Sequence, residues 1–103
     1  MSASILIADD DEGILHALSL MLLEAGHVAT TVLTPADTLI QLRQCEFDLV
    51  IIDLNFSLDT TSGAEGLSLL KSIKQLYEHL PVLVMTGWGS VEIAVQAMQN
   101  GAK

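Results

Sequence analysis

Residues 5–12 decide the fold, because an apolar run, Ile-Leu-Ile-Ala, ends abruptly in Asp-Asp-Asp-Glu. An apolar run of this length, bounded by a polar break, is typical of a strand buried on both faces of a sheet. An apolar segment of helix length follows at once, and either Asp11 or Glu12 can cap its free N–H groups. Capping does not account for Asp9 and Asp10. Like charges crowded at the end of a strand are costly, so we expect a positive partner among them.

Outward from this stretch, segments of strand and helix character alternate along the chain. Thr34 and Pro35 favour a helix start, because the threonine can cap and the proline needs no N–H. Gly26 is expected to end the first helix in a left-handed turn. Alternation with short connections predicts a parallel sheet covered by helices on both faces. The predicted strands are 4–8, 28–33, 47–53 and 81–85, and the predicted helices are 13–25, 34–45, 62–77 and 90–100.

Hydrophobic spacing also predicts which side of each helix is buried. The buried positions expected from this spacing are Ile14, Leu15, Leu18, Met21 and Leu22 in the first helix, Leu39, Ile40 and Leu42 in the second, and Leu67, Leu70, Ile73, Leu76 and Tyr77 in the third. Leu20 and Leu23 widen the apolar face of the first helix beyond one stripe.

Length and charge restrict the class of protein. The 103 residues form one domain, 1–103, and a net charge of −9 with four Lys or Arg argues against nucleic-acid binding. Cys45 is the single cysteine, which excludes an internal disulfide and fits a reducing compartment. The N-terminus lacks a signal-peptide pattern, and the apolar stretch 14–23 is too short to span a bilayer. We therefore expect a cytoplasmic domain without membrane contact.

Acidic and hydroxyl side chains stand at the ends of three predicted strands. Asp9 and Asp10 end the first strand, Asp53 ends the third, and Thr86 follows the fourth. In open parallel sheets the ligand crevice lies beyond the carboxyl ends of the strands, so these side chains are expected to share one crevice. Carboxylates without His or Cys companions favour Mg²⁺ or a similar ion. An aspartate beside Mg²⁺ can accept a phosphoryl group, whose oxygens a hydroxyl can bond.

At these residues the chain resembles the receiver domain of response regulators from bacterial two-component systems. Residues 84–90 are most similar to the nitrogen-regulator class of sigma-54-dependent activators. The resemblance implies an α/β, flavodoxin-like, doubly wound parallel sheet of order 2-1-3-4, with the fifth strand and helix missing from this chain. The matching elements are Asp9-Asp10, Asp53, Met85-Thr86-Gly87 and Asn100-Gly101-Ala102.

The resemblance implies a role for each matching residue. Asp53 would be the phosphoacceptor, charged by a sensor histidine kinase. Asp10 would bind Mg²⁺ directly and Asp9 through water, with Asp53 and the backbone carbonyl of Asn55 as further ligands. Thr86 would be the switch hydroxyl that moves toward the phosphoryl group.

The resemblance also implies modulators and an output. Asn55 and Trp88 each lie two positions after a site residue and would modulate hydrolysis of the acyl phosphate. Relatives of this class carry an ATPase domain and a DNA-binding domain after the receiver, so transcription regulation is the expected output. The receiver itself would make no direct nucleic-acid contact.

The segment after Asp53 departs from the family pattern. The usual proline is absent, and Gly66 lies thirteen positions after the acceptor, so the loop 55–65 is enlarged. A tolerated surface insertion is the preferred interpretation, because longer loops cost little closure entropy. The alternative is a lid or kinase-recognition element over the site.

The C-terminal end departs as well. Lys103 follows Gly-Ala directly and is not assigned the phosphate-contacting role that a lysine has in the family. We interpret the chain as C-terminally truncated, which predicts weak or absent phosphorylation of the 103-residue form. An unpaired fourth strand and the apolar surface at Leu20 and Leu23 predict self-association.

Two other functions stay open from the residues alone. One is a receiver-like interaction module without phosphotransfer, against which the four matching site residues argue. The other is a magnesium phosphohydrolase with an aspartyl-phosphate intermediate. Such enzymes usually carry a second aspartate two positions after the nucleophile, where this chain has Asn55.

Overall fold

Strands and helices alternate along the part of the chain that the computed structural model describes, residues 2–53, 64–85, 98–99 and 101–102. The alternation confirms the predicted α/β class. In chain order the elements are β1 (Ser4–Ala8), α1 (Glu12–Glu24), β2 (Val28–Val32), α2 (Pro35–Gln44), β3 (Leu49–Asp53), α3 (Ala64–Leu76) and β4 (Val82–Met85).

The four strands form one sheet in the order β2-β1-β3-β4, and every neighbouring pair is parallel. This order confirms the predicted 2-1-3-4 arrangement. Ala8 pairs with Ile52 at the carboxyl ends of β1 and β3, and Asp53 pairs with Met85 in β4. The register therefore sets the residues that follow β1 beside the last residue of β3.

Alternation of side chains along β1 divides the core between the two faces of the sheet. Ile5 and Ile7 pack on one face with Leu15 of α1, whereas Leu6 and Ala8 face the opposite side. These four apolar residues of β1 are at most 3% exposed, as expected for a strand covered on both faces. The second face contains the larger cluster, built on all four strands, α2 and α3 by Leu6, Ala8, Val32, Leu42, Val50, Ile52, Leu69, Leu70, Ile73 and Val82.

Local sequence signals fix the ends of the helices. Thr34 is the N-cap of α2, where its Oγ1 accepts a hydrogen bond from the Asp37 N–H at 3.0 Å, and Pro35 begins the helix. Gly26 has a φ of 90° after α1, a backbone conformation that side chains other than glycine rarely adopt. The N–H of His27 then donates to the Leu22 carbonyl at 2.9 Å. The predicted helix start and left-handed turn are both confirmed.

Several predicted buried positions are wrong. Ile14, Met21, Ile40 and Leu76 are 41%, 64%, 44% and 64% exposed, whereas Leu69, absent from the predicted face of α3, is 3% exposed. The physical reason is that apolar residues surround much of α1, so hydrophobic spacing alone cannot select the stripe that meets the sheet.

The apolar surface expected on α1 is present. Leu20 and Leu23 are 48% and 67% exposed. The predicted capping box at 62–65 and the predicted helix from residue 90 fall largely outside the described residues, although 98–99 are helical. Gly101 has a φ of 101°, in agreement with the helix end expected at 100–101.

Candidate functional site

Three carboxylates converge at the carboxyl end of the central strands. Asp9 and Asp10 follow β1, and Asp53 is the last residue of β3. One carboxylate oxygen from each residue lies within 4.8 Å of the others. Parallel pairing of β1 with β3 produces this cluster, because equivalent ends of the two strands meet at the same edge. The predicted convergence of the three aspartates is present in the structure.

The three carboxylates differ in burial. Asp9 is 1% exposed, Asp53 is half-buried and Asp10 is exposed. The pKa of Asp9 is raised from its ordinary value of 3.8 to about 6, chiefly by burial and to a smaller extent by the nearby carboxylates of Asp53 and Asp10. A hydrogen bond from the Asp11 N–H acts in the opposite direction on the pKa. The site therefore concentrates negative charge where water cannot fully solvate it.

Asp11 caps the first helix, a role that the sequence alone allowed for either Asp11 or Glu12. Its Oδ1 accepts hydrogen bonds from the Gly13 N–H at 2.8 Å and the Ile14 N–H at 3.2 Å, so it is the N-cap of α1. Its own N–H donates to Asp9 Oδ1 at 2.9 Å. The Asp-x-Asp-x-Gly spacing of residues 9–13 is the signal that could have identified this chain of contacts, because an aspartate readily bonds the N–H two residues later.

The chemistry of this donor set fits a hard divalent cation. Carboxylate oxygens from three side chains, without His or Cys among them, suit Mg²⁺ rather than a softer metal. The raised pKa of Asp9 fits the same conclusion, because a cation would favour the charged carboxylate that burial, and to a smaller extent repulsion from the other two carboxylates, disfavours.

Three predicted site residues lie outside the described residues, namely Asn55, Thr86 and Trp88. Their neighbours in the sequence are described. Asn55 follows the end of β3 by two positions, and Thr86 directly follows Met85, the residue that pairs with Asp53.

Comparison with known proteins assigns the class. Residues 5–103 match the family model of the response regulator receiver domain. The chain belongs to this family, which is a family of signalling domains that generally bind Mg²⁺ at an acidic pocket. The resemblance to receivers inferred from the acidic pair, the strand-terminal aspartate and the Met-Thr-Gly sequence is therefore confirmed.

Two relatives show the subclass that the chain resembles. It is 41% identical over 102 residues to the response regulator protein FleR of Pseudomonas aeruginosa. It is 36% identical over 96 residues to the DNA-binding transcriptional regulator NtrC of Escherichia coli K12. These alignments cover 99% and 93% of this chain but only 20% and 19% of the two relatives, so the chain spans about a fifth of their length.

Solved structures agree with this fold. Crystallised NtrX from Brucella abortus matches with a TM-score of 0.90 and 31% identity, covering 100% of this chain and 22% of that one. The chemotaxis response regulator CheY4 of Vibrio cholerae matches with a TM-score of 0.84 and 25% identity, covering 99% of this chain and 82% of that one. The flavodoxin-like class predicted from the sequence is confirmed.

A membrane-spanning helix is not found among the described residues, since none of their helices is both long and apolar enough.

Proposed function

We propose that Asp53 is the phosphoacceptor of this receiver and that Asp9, Asp10 and Asp53 hold a Mg²⁺ ion beside it. The observation that carries the proposal is the approach of their carboxylate oxygens to within 4.8 Å at the carboxyl edge of the sheet. The half-buried Asp53 ends β3 in the middle of the sheet, between β1 and β4, where both neighbouring strands contribute to its surroundings.

The three aspartates have different roles in the proposed phosphoryl transfer. An Asp53 carboxylate oxygen attacks the phosphorus of a phosphohistidine on the kinase, the P–N bond breaks, its electron pair returns to the imidazole, and an acyl phosphate remains on Asp53. The buried Asp9 and the exposed Asp10 hold negative charge within 4.8 Å of the Asp53 carboxylate and would position the cation. Bound Mg²⁺ would neutralise part of the charge on the phosphoryl oxygens.

Three residues outside the described part of the chain, Asn55, Thr86 and Trp88, also have proposed roles. The backbone carbonyl of Asn55 would be a further Mg²⁺ ligand, and the Thr86 hydroxyl would donate to a phosphoryl oxygen after transfer. Support for Thr86 comes from the pairing of Met85, the residue before it, with Asp53. The side chains of Asn55 and Trp88 modulate the rate at which water hydrolyses the acyl phosphate.

The partners follow from the family and from the relatives. We propose a cytoplasmic sensor histidine kinase domain as the donor and, in the whole protein, an ATPase domain and a DNA-binding output domain; the DNA-binding output is supported by similarity to the DNA-binding transcriptional regulator NtrC. The chain contains 13 Asp or Glu against four Lys or Arg, so the receiver itself is poorly suited to contact DNA.

The test is phosphorylation of the protein as its native gene encodes it, with Mg²⁺ and acetyl phosphate, followed by intact-mass spectrometry. We expect a stable gain of one phosphoryl group that EDTA prevents and that Asp53→Asn abolishes. Asp48→Asn is the matched control, because Asp48 is exposed and directly precedes β3, at the end of the strand opposite Asp53. The asparagine in this variant keeps an oxygen that can accept the 2.8 Å hydrogen bond from the Ser4 N–H.

The other outcomes separate the competing functions. Continuous release of phosphate without an accumulating adduct would indicate a phosphohydrolase. A protein that gains no phosphoryl group would indicate an interaction module, and an adduct that persists in Asp53→Asn would contradict the assignment of the acceptor.

A further inference from the structure

Asp11 makes hydrogen bonds in two directions, toward α1 and toward the acidic cluster. Its Oδ1 accepts from the N–H groups of Gly13 and Ile14 at 2.8 and 3.2 Å. Its backbone N–H donates to Asp9 Oδ1 at 2.9 Å. The first turn of α1 and the buried carboxylate of Asp9 are therefore joined through one residue.

The side-chain contacts of Asp11 fix the direction of its own N–H. At the N-cap the backbone has φ −93° and ψ 107°, and the two bonds to α1 hold the residue in this extended conformation. The absence of a side chain at Gly13 leaves space for the Asp11 carboxylate, because a Cβ at position 13 would lie only 3.2 Å from Asp11 Oδ1. Without the capping bonds, residue 11 would be free to rotate and its N–H would leave Asp9.

Asp9 depends on this N–H more than an exposed carboxylate would. It is 1% exposed, so water cannot replace the lost donor easily. One of its two carboxylate oxygens, Oδ1, is engaged by the Asp11 N–H. Engaging one oxygen of a ligand carboxylate fixes the orientation of the other, as hydrogen bonds around metal ligands generally do.

We propose that Asp11 is a positioning residue for the cation site: by capping α1 it holds its backbone N–H on Asp9 and so orients the Asp9 carboxylate toward the metal. The inference rests on the proposed Mg²⁺ site but assigns Asp11 no contact with the ion. Glu12 provides an internal comparison, because it is also acidic, is exposed, and lies in the first turn of α1.

The test measures the Mg²⁺ dissociation constant of the ¹⁵N-labelled 103-residue chain at pH 8 and physiological salt, from amide shifts of residues 9–11. Asp11→Ala removes the capping carboxylate, and we expect it to weaken Mg²⁺ binding about tenfold. Asp11→Gly should weaken binding similarly while leaving the helix start nearly intact, because glycine is tolerated at an N-cap. Asp11→Asn retains an accepting oxygen and should change the constant by less than about threefold.

Glu12→Gln is the matched control for charge, and its Mg²⁺ dissociation constant should also change by less than about threefold, because exposed charges are screened by salt. A parallel urea unfolding series in EDTA gives the stability of each variant. If Asp11 were only structural, Asp11→Ala would unfold at lower urea, and both Asp11→Ala and Asp11→Gly would bind Mg²⁺ with the parent's constant.

Failure of the inference and failure of the proposed function give different results. Parental Mg²⁺ binding in both Asp11→Ala and Asp11→Gly, or an equal loss in Glu12→Gln, would overturn the role of Asp11 and leave the metal site standing. A parent chain that shows no saturable Mg²⁺ shift at residues 9–11 would overturn the metal site itself.

Discussion

Replacing the buried carboxylate of the acidic cluster should stabilise the metal-free protein. Asp9→Asn keeps an oxygen that can accept the 2.9 Å hydrogen bond from the Asp11 N–H but removes the charge that burial and the neighbouring carboxylates penalise. The pKa of Asp9 lies at about 6 instead of 3.8, which corresponds to about 3 kcal/mol at 1.36 kcal/mol per pH unit. Screening by water around the exposed Asp10 reduces this value, so we expect Asp9→Asn to be more stable by about 2 kcal/mol at pH 8.

The sign of the pH dependence follows from the raised pKa of Asp9. Between pH 3.8 and about 6 the folded chain holds a proton that the unfolded chain releases, so the stability of the parent falls as the pH rises through this window. Asp9→Asn lacks this titration. The stability difference between the two proteins should therefore shrink by about half when the pH is lowered from 8 to 5.

The assay is urea unfolding in EDTA at pH 8 and pH 5, with Asp48→Asn as an exposed single-charge control that should stay within about 0.5 kcal/mol of the parent. Addition of Mg²⁺ at pH 8 should stabilise the parent, because a ligand that binds only the folded state raises its stability, and should have little effect on Asp9→Asn. A variant no more stable than the parent at pH 8, or a difference that does not change with pH, would refute the reasoning.

Three further predictions concern the scaffold around the site and can be measured by the same unfolding assay. Thr34→Ala should lose about 1 kcal/mol, because it removes the oxygen that caps α2, and Thr34→Ser should recover most of the loss; equal effects of both would argue against the cap. Gly26→Ala should cost about 1 kcal/mol through its φ of 90° alone, since no atom lies within 4 Å of the added Cβ. Gly101→Ala should cost more than Gly26→Ala, because its Cβ would also lie 3.1 Å from the side chain of the lysine in the last turn of α3. A larger loss of stability in Gly26→Ala than in Gly101→Ala would contradict this contact. Leu70→Ala, at a fully buried position, should cost roughly 2–5 kcal/mol, whereas Leu76→Ala, at 64% exposed, should cost under about 0.5 kcal/mol, and similar losses would place α3 in a different orientation.

The parallel sheet and the meeting of the three aspartates could be predicted because both follow from rules that act along the sequence, whereas the strand order came from the resemblance to the family. The apolar run of β1 and its abrupt acidic end locate one strand, and Asp53 ends another. Parallel pairing then requires their carboxyl ends to share an edge. The sequence cannot distinguish Asp9 from Asp10 by composition, yet one is 1% exposed and the other is exposed. That difference depends on which way the chain turns after Ala8.

Helix faces and caps were less predictable for a related reason. The choice between Asp11 and Glu12 as the cap of α1 depends on the backbone angles of one residue, and both side chains satisfy the sequence rule. Met21 was predicted to be buried and is 64% exposed, because α1 carries apolar residues on more than the side that meets the sheet. In both cases the competing residues are chemically equivalent, and tertiary contacts decide between them.

The central claim, that Asp53 accepts the phosphoryl group, is tested most directly by locating the modified residue. After reaction of the native gene product with acetyl phosphate and Mg²⁺, borohydride reduction converts an aspartyl phosphate to homoserine, which peptide mass spectrometry can assign to a position. We predict homoserine at position 53, and only when Mg²⁺ is present. Homoserine at position 9 or 10, or a phosphoryl group found only on a serine, threonine or histidine, would contradict this assignment.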